Sequence, residues 1–232
     1  MPESDDDTRI LGNRNRFPTT SWDLVRTVQN VRTLETLIRI YWKPLYFFVR
    51  RKGFDNERSK DLVQGFLAAC LEKGSLTKAD PTRGRFRTFL LAALTNHLKD
   101  ALKAESSLKR GGDQALLSLD FTEGEREYTL EVPTGDSPEA AIDRAWARNL
   151  WKHALSELEG DPAHLEAFRM YLAEEDYPAI TKKTRLSESA ARTAVHRLKG
   201  QLRDRVTDVI RSTATDEAEV AAEVAAFMNL LS

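Results

Sequence analysis

The sequence predicts an all-α protein of two small helical domains joined by an acidic linker, and three observations carry that expectation. Apolar residues recur at three- and four-residue steps along most of the chain, the period of a helix with one buried face. Eleven Gly and eight Pro in 232 residues are too few for the many turns of a β-sandwich or barrel. Helix-start pairs stand where new periodic stretches open, as at Ser137-Pro138 and Asp161-Pro162, with Pro suited to the first helical position. Only Leu116–Phe121 alternates in the manner of a strand, and weakly.

Taken in order, residues 1–18 are polar, rich in Arg, Asn and Asp, and are expected to be disordered. A first domain is expected over 19–110. Thr20 and Asp23 offer a capping box, followed by a stripe through Leu24, Val28, Val31, Leu34, Ile38, Tyr41, Leu45 and Phe48. Pro44 inside that stretch implies a kink or break near Trp42. Asp55-Asn56-Glu57 opens a second helix with Leu62, Phe66, Ala69 and Cys70 on one face. A third is expected from about Arg85 to Glu105, with its stripe at Phe86, Phe89, Leu90, Ala93, Leu94, Leu98 and Leu102. Residues 111–137 contain Gly111-Gly112, two further glycines and Pro133, lack helical periodicity and read as an extended linker. A second domain follows over 138–212. An acidic amphipathic tail, 213–232, carries Val220, Val224, Phe227 and Leu231 at four-, three- and four-residue steps.

Composition narrows the function. Cys70 is the only cysteine, so no intramolecular disulfide and no cysteine-rich zinc site is available. His97, His153, His164 and His196 show no ligand spacing, and neither metal nor cofactor is expected. There is no nucleophile–base pair or phosphate-cradling glycine loop, so no enzymatic activity is expected. No run approaches the roughly 20 apolar residues of a membrane span, and the start Met1-Pro2-Glu3-Ser4-Asp5 is the opposite of a secretory signal. A cytoplasmic, nucleoid-associated location is expected.

The net charge of −1 hides a partition. Residues 83–110 hold seven Lys/Arg against two acids, and residues 179–211 hold nine against three. Residues 113–143 hold nine acids against Arg126 alone, and residues 212–232 hold four acids and no base. Alternating blocks of this kind mark either two basic modules separated and followed by acidic segments, as a nucleic-acid partner would need, or merely solvated faces.

The C-terminal basic block has the shape of a helix-turn-helix. A short helix is expected over 177–184, a turn at Arg185-Leu186, and a second helix capped by Ser187 through about Ile210. Ala191, Val195, Leu198, Leu202, Val206 and Val209 would face inward, leaving Ser189, Arg192, Thr193, His196, Lys199, Arg203 and Arg205 outside. Short polar and basic residues at the front of such a helix suit base edges, and cations further along suit phosphates.

Three motifs then resemble the extracytoplasmic-function sigma factors, the smallest members of the sigma-70 family. Asp61-Leu62-Val63-Gln64 with Phe66-Leu67 is similar to that family's D-L-x-Q helix. Phe86-Arg87-Thr88-Phe89-Leu90 with Asn96 and Asp100 is similar to its F-x-x-W-L…N…D helix, with Phe89 in place of the usual Trp. Ser187-Glu188-Ser189-Ala190-Ala191-Arg192 and His196-Arg197-Leu198-Lys199 are spaced as in its −35-reading helix. The match spans roughly residues 31–105 and 138–210. It implies a region 2-like bundle and a region 4-like helix-turn-helix, a factor that binds core RNA polymerase and directs promoter recognition and melting.

On that resemblance Asp61, Leu62, Gln64 and Phe66 grip the β′ clamp helices, with the β flap a further contact. Arg83, Arg85, Arg87, Asn96, His97, Lys99 and Lys103 bind the −10 element. Ser187, Ser189, Arg192, Thr193, His196, Arg197, Lys199 and Arg203 bind the −35 element, with Arg192 in the major groove and Lys199 and Arg203 on phosphates. An anti-sigma factor or other regulator is a further partner the family implies. The turn departs from the family's A-x-x-L-G, having Thr181, Thr184 and Arg185. If its backbone is kept, Arg185 must take φ > 0 at about 1–3 kcal/mol. Two alternatives stand beside this: a helix-turn-helix regulator acting on duplex DNA without polymerase, and a protein-binding helical adaptor. The acidic tail either masks the DNA-reading surface or completes the packing.

Overall fold

The computed structural model describes residues 31–72, 85–105, 119–131 and 137–231, and every element among them is a helix. They are α1 (Val31–Arg51), α2 (Asn56–Glu72), α3 (Phe86–Glu105), α4 (Phe121–Glu131), α5 (Pro138–Ser156), α6 (Pro162–Leu172), α7 (Tyr177–Thr184), α8 (Glu188–Arg211) and α9 (Glu217–Leu231). The capping box at Thr20 and the expected disordered start lie outside the described residues, as does the Leu116–Ser118 part of the weak alternation.

α1 packs against α2, α4 and α5. From Leu37 to Val49 it buries almost every side chain, whereas a surface helix buries one stripe. The expected kink or break at Pro44 does not end it: α1 runs continuously through that residue. Proline removes the N–H that would bond the carbonyl of Ile40. That carbonyl instead accepts a bond of 2.7 Å from Asn149 Nδ2 of α5, which also donates to Arg39 O at 2.7 Å. The proline notch is therefore filled by the neighbouring helix, and α1–α5 is the most extensive helix pairing in the described chain. One continuous apolar core results, from Leu37 of α1 through Leu150 of α5 and Leu198 of α8 to Phe227 of α9. The helices assigned to 19–110 and to 138–212 share it.

The segment read as an extended linker contains α4. Asp120 Oδ1 accepts from Glu123 N at 3.0 Å and opens the helix. Phe121 is buried, with its ring edge-on to Trp42 and Tyr46 at 5.0 and 5.6 Å. Gly124, counted above as a linker glycine, is a close-packing one: a Cβ there would lie 3.0 Å from the Trp42 ring. Two of the acids near it are neutralised from α1 and α5. Glu125 takes Arg50 at 2.8 Å and the Tyr46 hydroxyl, and Glu127 takes Lys43 at 2.6 Å and Lys152 at 2.9 Å. Burial pushes the Glu125 carboxyl up, but the bonds from Arg50 and Tyr46 outweigh it and hold it below the usual carboxylate range.

The later start signals act as expected. Ser137 Oγ accepts from Ala140 N at 3.1 Å, and Asp161 Oδ1 accepts from Ala163 N at 2.8 Å, each before a proline. No helix among the described residues is long and apolar enough to cross a membrane.

Candidate nucleic-acid interface

α6, α7 and α8 form a compact unit around Ala167, Ile180 and Ala191. Asp176 caps α7, accepting from Ala179 N at 2.8 Å, and Ser187 caps α8, accepting from Ala190 N at 3.2 Å. Between the two helices Arg185 takes φ 61 and ψ 17, with its N–H donated to Thr181 O at 2.8 Å. The left-handed turn is thus kept without glycine, at about 1–2 kcal/mol for an L-residue. Thr184 supports it, its hydroxyl donating to Ile180 O at 2.7 Å and accepting from Leu186 N at 3.4 Å.

α8 separates its faces as the periodicity implies. Ala191, Ala194, Val195, Leu198, Leu202, Val206 and Ile210 are buried, with Val209 half-buried. Ser187, Ser189, Arg192, Thr193, His196, Arg197, Lys199, Arg203 and Arg205 are exposed. Two tyrosines lie under this row. The guanidinium of Arg192 sits 4.0 Å from the Tyr177 ring centre and pairs with Glu188 at 2.7 Å. Lys199 Nζ sits 4.1 Å from the Tyr171 ring centre and donates to its hydroxyl at 2.6 Å. Arg197 Nη2 lies 3.2 Å from His164 Nδ1. Sequence reasoning missed both tyrosines, because their positions on α6 and α7 meet α8 only after the turns fold.

The α3 set is arranged differently. Arg83 lies outside the described residues. Asn96, Lys99 and Lys103 are exposed, and His97 is half-buried, edge-on to Phe66 at 5.8 Å. Arg87, expected on the −10 surface, is only 5% exposed. Its guanidinium stacks 3.9 Å from the Trp146 ring centre, bonds Asp143 Oδ1 at 3.0 Å and bonds Glu223 Oε2. Arg85 is half-exposed, and its Nε comes within 2.8 Å of Glu223 Oε1, an ion pair by distance without the alignment of a hydrogen bond. Buried Tyr41 sits in the same field: burial pushes its phenol up to about 12, with Arg87 opposing and Glu223 reinforcing the shift. Asp143, Trp146 and Glu223 were missed as partners, since each is remote in sequence from Arg87 (Glu223 by 136 residues).

On α2, Asp61 is exposed and Gln64 half-buried, one turn apart. Leu62 and Phe66 are 3% exposed and belong to the core on the other side of this helix. Leu102, expected on the inner stripe of α3, is exposed instead.

Among the described residues no group of three His, Cys, Asp or Glu is placed to hold a metal ion. No protein-family model matches this chain, and no curated protein or solved structure matches it either.

Proposed function

We propose that this protein is a sigma-type transcription initiation factor, binding core RNA polymerase and directing promoter recognition and melting rather than catalysing a reaction. The observation that carries the proposal is the exposed row Ser189, Arg192, Thr193, His196, Lys199 and Arg203 on one long helix. That helix follows a short helix and a left-handed turn, and its opposite face is buried. A recognition helix needs small polar and basic side chains at its front and cations behind, on a rigid support. The resemblance at Asp61–Gln64 and along α3 extends the reading from duplex binding to polymerase and the melted strand. In it, α8 reads the −35 element, α3 meets the −10 element, and Asp61 and Gln64 contact the β′ clamp.

A second reading, a regulator that binds duplex DNA without polymerase, is favoured by one observation: Arg87 is enclosed rather than offered to a strand. Co-purification with core RNA polymerase followed by run-off transcription separates the two. The sigma-type reading expects a stable complex and promoter-specific transcripts. It also expects that Asp61→Ala with Gln64→Ala weakens the complex at unchanged thermal stability. Duplex binding with no polymerase complex would overturn it.

A further inference from the structure

α9 meets the start of α3 through Glu223, which pairs with the half-exposed Arg85 and the enclosed Arg87, and α9 itself docks through few side chains. Only three of its side chains are buried: Val220, Glu223 and Phe227. Phe227 anchors it, packed against Trp146 at 6.0 Å and Trp151 at 6.4 Å. In the middle of this short docking stripe stands a carboxylate, Glu223, at 7% exposure. A leucine or valine in such a seam would dock the helix at least as firmly, because a buried ion pair repays little more than its desolvation. What a carboxylate adds is exchangeability: its pairing with Arg85 and Arg87 can pass to another anion, and an apolar contact cannot.

The local charge count points the same way. Arg85, just before α3, and Arg87 in its first turn are balanced by Glu223 and by Asp143 of α5. Withdraw α9 and two guanidiniums face one carboxylate, at the start of a helix that goes on to offer Asn96, Lys99 and Lys103 at its surface. Guanidinium forks fit a phosphodiester oxygen pair as they fit a carboxylate.

We infer that α9 is an internal competitor at the start of α3, the site assigned above to the melted strand, and that Glu223 holds the place of a strand phosphate on Arg85 and Arg87 in the free chain. The inference rests on the sigma-type reading for the origin of the strand, since melted promoter DNA is where such a strand arises. α9 then leaves the −35-type surface of α8 open and closes the strand-binding face until a strand displaces it. This differs from a tail laid over the recognition helix: among the described residues α9 meets α8 on the side of Arg211, where Glu217 pairs at 2.9 Å, away from Arg192 and Lys199.

The test is binding of a fluorescent single-stranded deoxyoligonucleotide of about 20 bases to the full chain and to Glu223→Gln, which preserves side-chain shape and removes the charge. At about 50 mM salt the variant is expected to bind roughly three- to ten-fold tighter, the gain shrinking as salt rises. Adding Arg85→Gln to the variant is expected to abolish most of the gain. Hydrogen exchange over residues 217–231 of the unaltered chain supplies a reading that needs no variant: excess oligonucleotide should speed it. An equal gain for duplex of the same length would overturn the assignment to a separated strand. No gain at matched folded fraction, or strand binding that leaves α9 protected, would overturn the competition itself. Core polymerase binding by the unaltered chain is measured separately. Its absence removes the sigma-type reading and leaves the strand result to decide this inference.

Discussion

The two basic helices of this protein carry similar residues and use them in opposite ways. α8 keeps its cations on the surface, over Tyr171 and Tyr177, with Arg192 paired inside its own first turn. α3 gives its leading cations to carboxylates from α5 and α9, one of them enclosed beside a tryptophan ring. The difference lies in their neighbours. The front of α8 stands on a two-helix support beside solvent, whereas the front of α3 runs against α5 and α9, where a cation must find an anion or lose several kcal/mol of hydration. Basic residues in a helix therefore do not by themselves mark a free surface.

The contrast is sharpest in stability. Arg87→Ala strips Glu223 of one partner and leaves Asp143 and the Trp146 face unoccupied. A loss of about 3 kcal/mol is expected, at the low end for breaking a buried pair because Arg85 remains. Arg203→Ala on α8 is expected to change stability by less than about 0.5 kcal/mol. Thermal unfolding of the two variants checks this, and equal losses would erase the distinction.

Asn149 ties α5 to α1. Replacing Asn149 by Leu leaves the Ile40 carbonyl without the donor that Pro44 denies it, costing about 1–3 kcal/mol. Since α5 carries Asp143 and Trp146, the same change should loosen the α3 cluster while α6–α8 stay intact. Hydrogen exchange along α3 and α8 reads the two separately, and faster exchange in both alike would mean that they unfold as one.

On α8 the expected effects fall on binding. Arg192→Ala should relax sequence preference at one or two base positions at about 1–3 kcal/mol. Lys199→Ala should weaken all duplex sequences together and lower the salt slope by about 1. Binding titrations over several salt concentrations measure both, and identical sequence-independent losses would show that the register of α8 against DNA differs from that described.

The smallest expected effect is a control remote from both basic sets. Burial lowers the pKa of His153 on α5 below its usual 6.5, against an opposing pull from Glu157. The unfolded chain then takes up a proton that the folded chain resists, so stability falls as pH drops below 6.5 and levels off beneath the folded pKa. His153→Leu should flatten that slope in denaturant melts, with no change in DNA binding.

The sequence by itself determined the helical class, the helix starts at Ser137, Asp161 and Ser187, and the two faces of α8. Each is settled within about two turns of chain, by a capping oxygen or by a 3.6-residue period that any amphipathic helix must show. It also placed the left-handed demand on Arg185, which the backbone meets. Only the tertiary structure decided the rest. Pro44 reads as a kink or break because its missing donor is local, while the substitute, Asn149, is 109 residues away. Gly124 reads as a linker signal because its use is the width of the Trp42 ring, which belongs to another helix. Arg87 reads as a contact to the −10 element and Glu223 as one acid of an amphipathic tail. Their burial depends on how α3, α5 and α9 are brought together, and opposite charges identify each other only once the chain has brought them into contact.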